Sequence, residues 1–275
     1  MNCKNCHTEL STKDDYCKCC GGKVIRNRLT FRNLFEHISE TFFNYDNKLL
    51  RTFVQLFKQP EDVIDGYVNG TRKKYVNVIS YFALAITISG FYLIIVKKFF
   101  PETFDFSQMT ISGQEEFQKK NMSFIEEYQS ILMMLYVPLY ALMARITFFN
   151  IKKYNYTELL VVFMYIQAQI SIASAIVIIT LGVLGISSSI VGMLMVPLMI
   201  IYSAYVLKRL LELSTSDIIV RTLLFFVVLG ITFVIITIIV FVVLFFTDDL
   251  QETFGPAFEA GKKIGEEASK AKSAN

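Results

Sequence analysis

Apolar residues in this chain gather into five continuous runs, near Val76 to Val96, Gln129 to Phe149, Glu158 to Leu181, Ser188 to Leu207 and Ile219 to Thr247. A helix of about 20 such residues, rising ~1.5 Å per residue, crosses a hydrocarbon core about 30 Å thick. Each run therefore predicts a transmembrane helix. The last has no charge after Arg221 and is longer than a span needs, which predicts tilt or an interfacial first turn. The second contains Pro138 and ends near Arg145, which predicts a kinked span whose arginine reaches the headgroups. The expected fold is all-α, a polytopic membrane bundle of five transmembrane helices over residues 76–247, followed by an outer polar tail over residues 248–275.

Composition agrees with that pattern. A chain of 275 residues that is 53% hydrophobic and 19% charged, with mean hydropathy +0.46, is not an ordinary soluble domain. Charge then sets an expected orientation, because cytoplasmic flanks carry the excess of lysine and arginine. Arg72, Lys73 and Lys74 precede the first run; Arg145, Lys152, Lys153, Lys208, Arg209 and Arg221 fall at the same side of the alternating spans. The loop from Lys97 to Tyr128 balances its lysines with glutamates, and Gly182 to Ser187 is uncharged. The N-terminus is expected in the cytosol and the C-terminus outside, in a bacterial inner (cytoplasmic) membrane. The start of the chain is polar and cysteine-rich, unlike a secretory signal, so the first span is expected to direct insertion.

Residues 25–75 read as cytosolic or interfacial amphipathic helices and a membrane-entry segment. Leu29, Phe31, Leu34, Phe35, Ile38, Phe42 and Phe43 recur at helical spacing; Leu49, Leu50, Phe53, Val54, Leu56 and Phe57 do so again before Pro60. Their apolar faces either lie among anionic headgroups or pack against the ends of the spans; both readings are compatible with the pattern.

All five cysteines lie within the first twenty residues, four of them as two CxxC pairs, Cys3 with Cys6 and Cys17 with Cys20. Two short turns that each aim two sulfurs at one point make a tetrahedral thiolate cage, and in a reducing cytosol such pairs favour metal over disulfide. Residues 1–24 are therefore read as a small zinc ribbon holding a structural Zn2+ on Cys3, Cys6, Cys17 and Cys20. Cys20 is preferred to Cys19 because it keeps the two-residue gap and precedes Gly21 and Gly22. His7 is either a neighbour of the first pair or an alternative ligand. Redox chemistry, another metal and simple free thiols are the competing readings.

The two CxxC pairs, the D-x-x-L-L-x-T stretch at Asp46 to Thr52, Pro60, and the Y-x-x-G-x-R-x-x-Y run of Tyr67, Gly70, Arg72 and Tyr75 together resemble an uncharacterised bacterial family of zinc-ribbon-headed, multi-span membrane proteins, a domain of unknown function. The resemblance covers about the first eighty residues and implies no activity. Physically, Gly70 permits a turn, while Arg72, Lys73 and Lys74 meet phosphate headgroups beside interfacial tyrosines. A second reading has Asp62, Asp65, Tyr67, Arg72 and Tyr75 lining a polar pocket, with Arg72 as an anion clamp.

Within the spans, ionisable side chains are absent near mid-depth, which disfavours ion-coupled transport. Arg145 and Glu158 flank one short loop and are expected to pair. Gln167, Ser171 and Ser174 share a face of the third span, as helix-to-helix contacts or, alternatively, as a substrate site. No glycine-rich phosphate loop, HExxH or GxSxG is present, so an enzyme is not expected. The expected partners are the lipid bilayer and a cytosolic protein docking on the head; nucleic acid is disfavoured, since the basic head lies beside anionic lipid, and no oligomeric state is implied. The sequence thus points to a non-catalytic adaptor or membrane organiser, with a transporter or channel for a neutral or lipidic solute as the alternative.

Overall fold

A computed structural model describes residues 1–22, 24, 30, 48–99, 123–186 and 188–246. The chain forms two compact units, Met1–Lys48 and Leu49–Asn275, taken here in turn. Among the described residues the structure is helical, with one isolated antiparallel bridge, Asn2 to Glu9. Seven helices are named: α1 (Lys48–Lys58), α2 (Pro60–Val68), α3 (Val78–Phe99), α4 (Gln129–Thr147), α5 (Tyr156–Val183), α6 (Ser188–Leu211) and α7 (Thr215–Phe246). The five from α3 to α7 are long and apolar enough to cross a membrane. The stretch Leu29 to Phe43, apart from Thr30, and the tail 248–275 lie outside the described residues.

Helix boundaries differ from the hydropathy runs by a few residues, and the reason is capping. The Asn77 side chain accepts from the Ile79 N–H at 3.0 Å, so α3 starts after Asn77. Asn155 and Glu158 form a reciprocal capping box that starts α5 at Tyr156. Ser214 Oγ accepts from the Asp217 N–H at 3.1 Å, which starts α7 one turn before the apolar run begins. Hydropathy registers where side chains prefer lipid; the start of a helix depends on who satisfies its first N–H groups. Pro138 does not end α4, which continues on both sides of it.

α5 is the central helix of the larger unit. It packs against α3, α4 and α6 and touches α2, so more than one of its faces is inward. Tyr81 and Ala85 of α3 and Val162, Tyr165 and Gln169 of α5 are fully buried there. Gln169 is the polar member of that layer. Its carbonyl accepts from Tyr81 OH at 2.5 Å, and its Nε2 donates to the Phe53 carbonyl of α1 at 2.9 Å. Tyr165 OH donates to the Val76 carbonyl at 2.8 Å, and Tyr202 OH to the Leu56 carbonyl at 3.2 Å.

These bonds show which way α1 faces. Leu49, Thr52, Phe53 and Leu56 turn toward the bundle, with Thr52 Oγ1 accepting the Val76 N–H at 3.0 Å. Leu50, Val54 and Phe57 stay exposed on the other side. The apolar residues of α1 thus divide between core packing and an outer face. α7 is held only near its start: Ile218 is buried, Phe225 packs on the core, and Arg221 donates to the Thr147 carbonyl at 3.1 Å. Beyond Thr232 its described apolar residues are exposed.

Gln169→Leu deletes both bonds, leaving Tyr81 OH without a partner in a buried layer and the Phe53 carbonyl with its helical bond alone. We expect a loss of about 1–3 kcal/mol, read as a lowered unfolding midpoint of the detergent-solubilised protein. Tyr81→Phe, which strips one bond, should cost less, and an unchanged midpoint in Gln169→Leu would show that the bridge does not hold α1 in place.

Candidate functional site

Residues 1–22 of the smaller unit contain two copies of one turn. In the first, the Cys3 N–H donates to the Thr8 carbonyl and the His7 N–H returns to the Cys3 carbonyl, both at 2.9 Å. In the second, the Cys17 N–H donates to the Gly22 carbonyl at 2.8 Å and the Gly21 N–H to the Cys17 carbonyl at 2.9 Å. Each turn needs a left-handed residue just after its second cysteine: His7 at φ 59° and Gly21 at φ 69°. Glycine takes that conformation freely, whereas histidine does so with some strain. His7 therefore has a backbone role, and it stands outside the sulfur cluster. Gly22 answers a different need, because a Cβ there would lie 2.7 Å from the Asn5 amide.

The turns bring the Sγ atoms of Cys3, Cys6, Cys17 and Cys20 within 4.8 Å of one another. Across the two turns, Cys3 and Cys20 are 3.6 Å apart and Cys6 and Cys17 3.5 Å. A tetrahedron with Zn–S bonds of ~2.3 Å has edges of about 3.8 Å, so the four sulfurs fit around one ion with little movement. Cys3 and Cys17 are buried beside Leu10, and Cys19 is exposed and outside the group.

Electrostatics point the same way. The Thr8 hydroxyl, 3.2 Å from Cys6 Sγ, and the Thr8 backbone bring the Cys6 thiol down to about 6. Cys20 is pushed up to about 12: the Gly22 backbone favours its thiolate, but the sulfurs of Cys6, Cys3 and Cys17 outweigh it. Four crowded thiols cannot all ionise on their own, and a divalent cation at their centre removes that conflict.

In the larger unit, α2 presents three acids in one and a half turns, and each holds a different part of the chain. Glu61 pairs with Arg209 near the end of α6. Asp62 accepts from Lys74 Nζ at 2.7 Å and from Tyr75 OH. Asp65 accepts from Tyr154 OH and from Lys153 Nζ at 3.3 Å. Lys153 also donates to the Leu210 carbonyl at 2.6 Å, closing the C-terminal end of α6. Arg209 holds the Glu61 carboxyl below its ordinary range; Lys74, then Tyr75, do the same for Asp62. Burial, then Asp65, drives the Tyr154 hydroxyl the other way.

This clasp reassigns several residues singled out from sequence. Arg72 stacks on the Tyr67 ring, 4.0 Å from its centre, and donates to the Tyr67 carbonyl, so it braces the turn. Lys74 is spent on Asp62, while Lys73 is exposed. Asp62 and Asp65 face separate partners and do not share a pocket. Arg145 and Glu158 do not pair with each other: Arg145 donates to the Tyr154 carbonyl at 3.4 Å, and Glu158 is occupied in the α5 cap. Of the polar stripe, Ser171 bonds Ser89 of α3, Ser174 donates to Met195 Sδ of α6 at 3.8 Å, and Gln167 borders cavities on the α4 side. The bridging amide is Gln169, which a one-face reading of α5 excludes. Glu61, Lys153, Tyr154 and Arg209 were not legible as a group, since Asp65 and Lys153 lie 88 residues apart and Glu61 and Arg209 lie 148 apart.

Residues 46–90 match a family described as a protein of unknown function (DUF3667). The match covers all of α1 and α2 and the first half of α3, and the four cysteines lie before it. No curated protein and no solved structure matches the chain.

Two outcomes follow from the geometry. His7→Gly should raise, or leave unchanged, the unfolding midpoint of the head, whereas His7→Val, β-branched at a left-handed position, should lower it; the opposite order would refute a backbone role. Because Glu61 and Asp62 have depressed folded values, their contribution is present above the ordinary carboxylate value of about 4 and is lost as pH falls through the folded ones. The unfolding midpoint of the full-length protein should therefore drop on acidification below about pH 4, and the double change Glu61→Gln with Asp62→Asn should flatten that drop.

Proposed function

We propose that this chain is an integral protein of a bacterial cytoplasmic membrane that acts as a non-catalytic adaptor or organiser, with a structural Zn2+ in its cytosolic head. The observation that carries this reading is the closed group of four sulfurs. Thiolates suit zinc, and four of them fill a tetrahedral ion, leaving no position for a substrate or an activated water. Bound zinc would fix two turns whose described core is Cys3, Cys17 and Leu10, with Cys6 and Val24 packed against it.

The orientation is supported by where the bundle gathers its cations. Lys74, Arg145, Lys153, Arg209 and Arg221 all make their bonds around α2 and the adjoining connections, at one end. That end is read as cytosolic, which places the clasp beside the inner headgroups. A partner protein is read as docking on the exposed face of the head, and the bilayer as contacting α6 and α7, whose apolar residues are exposed. The alternative, a transporter or channel for a neutral or lipidic solute, calls for a polar lumen through the bundle. A polar cleft does enter from the other end, but it stops at the buried layer of Tyr81, Gln169 and Tyr165, which favours the adaptor.

Purified full-length protein is expected to carry one zinc per chain, and the double variant Cys3→Ser with Cys17→Ser to carry none. Stoichiometric metal in the double variant would overturn the site. Affinity capture with the two proteins side by side tests the adaptor: a partner is retained by the metal-loaded form and lost with the variant, and identical partner sets would sink that role while leaving the metal assignment standing.

A further inference from the structure

α3 and α4 both pack along α5 but touch each other little, and a cleft of about 220 Å³ lies between them. Its walls are polar for a place inside an apolar bundle. α3 contributes Ser89 and Tyr92, and α4 contributes Gln129 and Tyr136. The stripe of Gln167, Ser171 and Ser174 forms its α5 side. Gln129 begins α4, whereas Ser89 and Ser171 lie midway along their helices, so the cleft runs from the end of the bundle far from α2 to about mid-depth. There the Ser89–Ser171 hydrogen bond closes it, and the buried layer of Tyr81, Ala85 and Gln169 lies beyond.

Polar groups in a membrane bundle are costly unless something bonds them. Helix-to-helix contact accounts for Ser89 with Ser171 and for Ser174 with Met195. It does not account for Gln129, whose Oε1 is buried without a hydrogen-bond partner. A roomy polar cavity with an unanswered acceptor holds water or a ligand. Among the described residues no acid, lysine or arginine lines the walls, so the lining selects neutral chemistry. Amides and hydroxyls supply donors and acceptors, and the rings of Tyr92 and Tyr136, with Leu132 and Ile170, supply surfaces for C–H faces. The cleft is roomy enough for one small sugar ring or a glycerol unit.

We propose that this blind cleft binds a single neutral polyol group, either a free sugar or glycerol, or the same chemistry as the uncharged headgroup of a glycolipid. The site is independent of the metal head and of the adaptor role.

The full-length protein in nanodiscs of phosphatidylglycerol tests it, with radiolabelled methyl glucoside and glycerol as free probes and glucosyl diacylglycerol added to the nanodisc as the lipid probe. We expect saturable binding of at least one probe, about tenfold weaker in Gln129→Leu and in Gln167→Leu. Binding of the free probes assigns a solute; retention of glucosyl diacylglycerol alone, seen by native mass spectrometry, assigns a lipid headgroup. No binding of any probe, or binding that both glutamine variants leave unchanged, overturns the proposal. Where a glutamine variant fails to fold, Ser174→Ala, which trims one hydroxyl, carries the same comparison.

Discussion

A polar side chain inside a hydrocarbon solvent has only the protein to bond to, and the position of Gln169 is the consequence from which the rest of the larger unit follows. Its amide is the one group in the buried layer that answers two elements at once, Tyr81 of α3 and the main chain of α1. With α1 bonded to α5, Pro60 starts α2 almost directly after it, and the three acids of α2 reach the connection before α3, the connection between α4 and α5, and the end of α6. Individually those ion pairs are partly exposed and contribute little. Their value is geometric, since one short helix is tied to three separate chain segments, and each tie limits where the others can go.

The head obeys a different constraint. Two turns of a few residues cannot bury enough apolar surface to hold themselves, and Leu10 with two cysteines is a core in name only. What replaces the core is repetition: the same pair of backbone hydrogen bonds, made twice, aims four sulfurs at one point. The histidine in the first turn and the glycine in the second do the same conformational job, and the difference between them is a difference in strain rather than in chemistry. The four sulfurs form their group without the His7 ring.

Much of this was legible before any coordinates. Runs of apolar residues are a one-dimensional signal, and they gave five helices with the correct order, because a span is selected by its own composition. The CxxC spacing likewise identified the four sulfurs that meet, including Cys20 over Cys19, because each turn is local. What escaped were relations between distant segments. Gln169 fell outside the stripe of Gln167, Ser171 and Ser174 because a face argument supposes one inward face, while α5 has neighbours on several sides. The charges of Lys74, Asp62 and Asp65 were visible in the sequence, but their partners in the fold, Tyr154 and Lys153 above all, were not.

The two ends of the bundle are built unequally, and that inequality bears on where anything could enter. At the α2 end, side chains from α1, α2, α5 and α6 and from two connections interlock through hydrogen bonds that would all have to break together. At the far end, α3 and α4 share α5 but hardly each other, and the described ion pair there, Lys97 with Glu126 at 2.5 Å, joins their outer tips rather than their packed faces. Opening of the bundle takes the route that breaks fewest bonds, so local motion should concentrate between α3 and α4. A solute arriving at the clasped end meets the Tyr81, Tyr165 and Gln169 layer; one arriving at the splayed end meets amides and hydroxyls that reach mid-depth. Residues that hold the first end shut are thus the same ones that give the second its floor.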